Sequence, residues 1–223
     1  MLELLLPAIN DSSLPPRDRL GLQSDLAALA QAGLASTTEF LKLAKQFRNE
    51  TNYTVWNDLT ANLSNLAKLL QNTGFYSSFQ TFCVKLYEQI ASQVGWDPKE
   101  GEGHLDALLR GLVLGCMGHS GDPATIAEAR KRFDAHCKGE TIISADLRSA
   151  VYRTVLKHGD DVTLNAMMKL FREADLDEEK VRLMSCMGAV SQPELIKKVL
   201  AFSMSSEVRS QDTVFVIAGV TGR

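Results

Sequence analysis

Histidine and cysteine are scarce in this 223-residue sequence, with four of each, and neither type is grouped. His104, His119, His136 and His158 never stand at i and i+4, the spacing that lets two imidazoles reach one zinc ion from one helix face. Each reads as a helix-end or surface histidine. Cys83, Cys116, Cys137 and Cys186 form no C-x-x-C pair and fall in segments of helical pattern, so they read as buried free thiols in a reducing, cytoplasmic compartment. Cys137 beside His136 makes no thiol–imidazole pair, because neighbours on a helix point about 100° apart. Gly115-Cys116-Met117-Gly118 lacks the Lys-Ser/Thr of a phosphate loop, and no G-x-S-x-G elbow occurs. Nothing here signals nucleotide binding or serine hydrolysis.

Basic excess is absent too. The 24 Lys and Arg against 27 Asp and Glu give a net charge of -3, spread without a stripe that could release counterions from a nucleic acid, so no nucleic-acid partner is expected. No run reaches the roughly 18 to 20 apolar residues of a membrane span. The leucines at positions 2, 4, 5 and 6 are interrupted by Glu3, lack a basic segment ahead of them and stop at Pro7; they read as a packed segment, not a signal peptide. No membrane partner is expected. Asn49-Glu50-Thr51, Asn52-Tyr53-Thr54 and Asn62-Leu63-Ser64 match the glycosylation sequon and, without a secretory signal, read as chance matches.

What the sequence does contain is helical grammar. With 45% hydrophobic residues it can bury a sizeable core. Pro15-Pro16 opens a helix over about residues 17 to 32; Ser36 with Glu39 is a capping box ahead of Phe40, Leu43, Ala44 and Phe47. Val55, Leu59, Leu63, Leu66 and Leu70 stripe a third helix, and Phe75 to Ile90 a fourth that ends at Gly95. A loop over 96 to 101 precedes a fifth. Asp122-Pro123 and Ser144 start the next two, and three more lie around 162 to 173, 177 to 190 and 192 to 204, with Asp177 and Ser191 as start signals. The 212 to 220 stretch reads as helix, although Thr213, Val214, Val216 and Ile217 also suit a strand. The expectation is an all-α domain of stacked antiparallel helix pairs, HEAT-like or armadillo-like, without a strict period. Apolar Val214 to Val220 then close the chain without a following helix, so residues 1–223 read as one domain incomplete at its C-terminus, able to self-associate through that edge.

Candidate chemistry is thin. Asp175, Asp177, Glu178 and Glu179 read as a solvated helix start. Arg148 and Tyr152, four apart, share a helix face and can donate to a carboxylate; the plainer reading has Arg148 satisfied by Asp146 or by nearby carbonyls.

The spelling of several segments goes further. Leu14-Pro15-Pro16-Arg17-Asp18-Arg19-Leu20, Thr54-Val55-Trp56-Asn57-Asp58-Leu59, Gly95-Trp96-Asp97-Pro98, His104 to Gly115, Ser144 to Tyr152 and Arg209-Ser210-Gln211-Asp212-Thr213-Val214 occur in this order. Together they resemble the C-terminal helical domain of the gluzincin zinc aminopeptidases of the puromycin-sensitive type, across essentially the whole chain. The resemblance implies a bowl of helix pairs that walls the substrate cavity of an enzyme removing N-terminal residues from peptides. The family's H-E-x-x-H with its distant Glu and its G-x-M-E-N motif have no counterpart here. The chain therefore carries no catalytic residue, no metal ligand and no cofactor of its own, and is expected to be inactive alone, with zinc in the absent catalytic domain of the parent. That domain and peptide substrates are the implied partners, and Arg110, Arg148 and Tyr152 are the residues expected to line the cavity. The alternative is a free-standing helical-repeat module that binds peptides or proteins.

Overall fold

The computed structural model describes residues 2–221. Among them are twelve α-helices and no strand, in two compact units that divide between Ser120 and Gly121.

The first unit comprises α1 (Leu2–Asn10), α2 (Pro16–Gln31), α3 (Thr37–Ala44), α4 (Tyr53–Leu70), α5 (Tyr76–Val94) and α6 (His104–His119). Helices α2, α4 and α6 pack side by side in chain order, while α3 and α5 cover them. Pro16 opens α2 at a position whose N–H has no helical acceptor in any case. The capping box at α3 is complete: Ser36 Oγ accepts from Thr38 N at 3.2 Å and Glu39 accepts from Ser36 N at 3.1 Å. The periodic run through Phe47 predicts an unbroken helix, but after Ala44 the backbone tightens into a 3-10 turn, Lys45–Asn49. Tight last turns are common at helix ends, and this one still buries Phe47 while releasing the chain into extended Glu50.

The core of this unit centres on fully buried Trp56, whose ring meets that of Tyr87 at 5.0 Å. Tyr87 Oη shares a 2.7 Å hydrogen bond with Thr60, so the phenol buries no unmet polar atom. A buried ion pair lies beside it: Arg19 donates to both Glu50 carboxylate oxygens, at 2.6 and 2.8 Å, and Glu50 also accepts from the main-chain N–H of Thr51 and Asn52. Trp56 Nε1 donates to Glu50 O at 2.8 Å. The three sequon asparagines all hold internal hydrogen bonds: Asn49 with Asn10 and Gln89, Asn62 with Gln23, and Asn52 as the cap of α4.

The second unit comprises α7 (Pro123–Cys137), α8 (Ala145–Lys157), α9 (Asp161–Glu173), α10 (Asp177–Met187), α11 (Pro193–Ser203) and α12 (Thr213–Thr221). Here α8, α10 and α12 form the row, and α7, α9 and α11 pack against it. Asp122 caps α7 by accepting from Thr125 N at 2.8 Å. Two start signals act otherwise than the sequence suggests. Ser144 stands at the cap position of α8, yet its side chain makes no cap bond. Ser191 lies outside α11, which starts at Pro193 after Gln192; its hydroxyl donates instead to Lys157 O at 2.9 Å, tying the linker to the end of α8.

The ambiguous last segment is helix α12. Tertiary packing overrides the strand preference of its β-branched residues. Val216 is fully buried, and Gly219 crosses Gly188 so closely that a Cβ on Gly188 would lie 2.0 Å from the Gly219 carbonyl carbon. Val214 and Ile217 stay 58% and 41% exposed.

Candidate functional site

A part-buried polar cluster of the second unit forms where α8 meets α10. Arg148 and Tyr152 do share a face of α8, and both meet a carboxylate, but it belongs to the chain itself: Glu179. Arg148 Nη1 lies 2.9 Å from Glu179 Oε2, and Tyr152 Oη donates to Glu179 Oε1 at 3.1 Å. Arg182 adds a third contact at 3.5 Å. Arg148 Nε donates to Ile143 O at 3.0 Å, in line with the expectation of a neighbouring carbonyl, while Glu179 takes the place foreseen for Asp146.

Tyr152 is only 1% exposed. Phe133 meets it edge-on, His136 stacks on it, and His136 Nε2 sits 3.2 Å from its hydroxyl. Burial first, and then the Glu179 charge, push the phenol well above its ordinary value, so it stays a proton donor.

The reading of residues 175 to 179 as a solvated helix start needs correction at one position. Side chains Asp177 and Glu178 are 68% and 85% exposed, but that of Glu179 only 14%. The spacing held the signal: Glu179 precedes buried Leu183 by four residues and buried Cys186 by seven, which places it on the packed face of α10.

Arg110, on α6, is 2% exposed. Its guanidinium pairs with Glu102 and donates to Val94 O at 3.2 Å, so it ties the start of α6 and the loop before it to the end of α5. Of the three expected cavity residues, the structure brings Arg148 and Tyr152 together, and Arg110 belongs to the other unit.

The histidines occupy helix ends: His104 and His119 bound α6, His136 lies in the last turn of α7, and His158 follows α8. Among the described residues no group of three or more His, Cys, Asp or Glu is placed to hold a metal ion. The zinc implied by the resemblance therefore finds no donor set in them. All four thiols are free; burial pushes Cys83 up to about 12 and Cys116 to about 11, and raises Cys137 and Cys186, the opposite of an activated nucleophile. A cleft of about 320 Å³ opens over Phe171 and Met184, walled by the ion pairs Arg172–Glu207 and Arg209–Asp177.

Among the described residues no helix is long and apolar enough to cross a membrane. The sequence profile of the ERAP1-like C-terminal domain matches residues 1–223. Aminopeptidase M1 of Arabidopsis thaliana is 33% identical over 221 residues, covering 96% of this chain and 25% of the plant protein. Puromycin-sensitive aminopeptidase of Caenorhabditis elegans is 26% identical over 222 residues, 98% of this chain and 23% of the nematode protein. Aminopeptidase 2 of Candida albicans is 24% identical over 209 residues, 92% and 23% of the two chains. The chain thus spans about a quarter of the length of the curated relatives it matches. With a match over its full length, this all-helical chain belongs to the ERAP1-like C-terminal domain family.

Proposed function

We propose that this chain is a helical wall of the substrate cavity in a cytoplasmic zinc aminopeptidase of the puromycin-sensitive type. Zinc and the hydrolytic residues then come from a catalytic domain outside these residues, and no step of the chemistry falls to them. One observation carries the reading: the whole chain matches a C-terminal domain family, yet only about a quarter of relatives named as aminopeptidases. Four free, buried or half-buried thiols suit a reducing compartment. A HEAT-like row of packed helices can limit peptide length, exclude water and hold a substrate in register with a distant reaction centre. Arg148, with 23% of its side chain exposed, keeps a surface for peptide, whereas buried Arg110 and Tyr152 shape the wall from within.

The test has two arms. Purified chain is expected to release no amino acid from an N-terminal aminoacyl reporter, with or without a chelator; chelator-sensitive turnover would overturn the reading. Exchanged for the matched 221 residues of the Arabidopsis relative, the chain is expected to support hydrolysis and to shift the preferred peptide length. A chimera whose length preference equals that of the relative with this segment deleted would refute the wall.

A further inference from the structure

Arg148 and Tyr152 meet Glu179 at 2.9 and 3.1 Å, Arg182 adds its charge from 3.5 Å, and each of the three is held in place by something other than Glu179. Arg148 is fixed by Ile143 O, at 3.0 Å. Arg182 is fixed by Ala145 O at 2.7 Å and by Glu178 at 3.1 Å. Tyr152 is wedged between Phe133, 6.2 Å away and nearly perpendicular, and the stacked ring of His136. These supports remain if the Glu179 carboxylate is removed, so the donors keep their aim. The Arg148 Nη1 and the Tyr152 O–H then face a gap the size of a carboxylate, with the Arg182 charge beside it, and two donors set to meet separate oxygens favour a carboxylate over a spherical anion. The gap is reachable, since the side chains of Glu179, Arg148 and Arg182 are 14%, 23% and 18% exposed.

We propose that Arg148, Arg182 and Tyr152 form a preorganised carboxylate-binding site, occupied in this chain by its own Glu179, which takes a small free carboxylate once that side chain is withdrawn. Glu179 is thus an intramolecular ligand. Its place on the first turns of α10 makes the docking of α10 on α8 depend on an anion in the site.

The test is thermal unfolding of the full chain carrying Glu179→Ala. In chloride the midpoint is expected about 4–8 °C below wild type, from the loss of charge-assisted bonds to partly buried donors. Replacing chloride by formate or acetate at constant ionic strength is expected to restore at least half of that loss, and to saturate, as binding to the folded state requires. Wild type, and Glu179→Gln with its amide filling the gap, are expected to show no such response. Adding Arg148→Gln to Glu179→Ala is expected to abolish the recovery. Equal midpoints in chloride and formate, or a recovery that survives Arg148→Gln, would overturn the proposal. If Glu179→Ala does not fold in chloride, refolding yield becomes the readout: rescue by formate supports the site, and its absence refutes it.

Discussion

Arg19→Met is expected to destabilise the chain by about 3–5 kcal/mol, read from chemical denaturation, because it strands Glu50 as a buried charge without a cation. Both partners lie almost wholly inside, with side-chain exposures of 6% and 2%. Methionine keeps much of the arginine stem's volume, so the loss is electrostatic more than steric. Arg19 also donates to Leu14 O, holding the approach to α2. Replacing both members, as Arg19→Met with Glu50→Gln, is expected to recover a large part of the loss, since a buried pair contributes far less than either orphaned partner costs. If the double variant proves no more stable than the single one, the loss lies in packing around α2 and not in the stranded charge.

The pH dependence of this pair follows from its environment. Burial pushes the Glu50 carboxyl up, but the Arg19 fork and the N–H groups of Asn52 and Thr51 outweigh it and hold the group below its ordinary value. A carboxyl depressed in the folded state stabilises fully above its unfolded pKa of about 4.3, and loses that contribution as pH falls through the lower folded value. In Arg19→Met the favourable cation is gone and ionised Glu50 becomes a burden that protonation relieves. The stability gap between wild type and Arg19→Met is therefore expected to narrow as the pH falls from 7 toward 4. A gap that stays constant over that range would show that Glu50 ionisation does not drive the loss.

Local signals carried the fold well. Caps and breakers at Pro16, Ser36, Gly95 and Asp122 set helix ends within one or two residues, because a helix end is decided by a few atoms close in sequence. Where the competing partner lay far along the chain, sequence reading lost its hold. Ser191 found Lys157 O across 34 residues, and the last segment became helix through its contact with α10. The polar cluster shows the same division. Periodicity put Arg148 and Tyr152 on one face able to donate to a carboxylate, but Glu179, 27 residues beyond Tyr152, was hidden inside an acidic run whose Asp177 and Glu178 are solvated. Charge composition cannot separate one packed acid from its exposed neighbours; its phase relative to Leu183 and Cys186 can.

That distant contact between α10 and α12 carries the second large expected effect. In Gly188→Ala the added methyl would stand 2.0 Å from the Gly219 carbonyl carbon and 2.3 Å from both Gly219 O and Val220 N. Gly188 itself has an ordinary φ of -64°, so alanine meets no backbone strain there. The obstruction is main chain, which cannot rotate aside as a side chain would, and α12 must shift or leave. At nine residues it is too short to persist as a helix in water alone. Overpacking of this kind costs about 1–3 kcal/mol, and undocking limits the loss to what docking supplied, chiefly the burial of Val216, itself worth about 1.5–3 kcal/mol. Amides of residues 213–221 are accordingly expected to exchange rapidly in Gly188→Ala, while those of α7, α8 and α9 keep their protection. Gly21→Ala supplies the contrast: inside α2, with nothing within 4 Å of the added methyl, it is expected to stabilise by about 0.4–1 kcal/mol. Protection of 213–221 unchanged by Gly188→Ala would mean that α12 does not hold the close crossing with α10. Loss of protection throughout residues 123–203 would mean that α12 is not a separable last helix, but part of what keeps α8 and α10 folded.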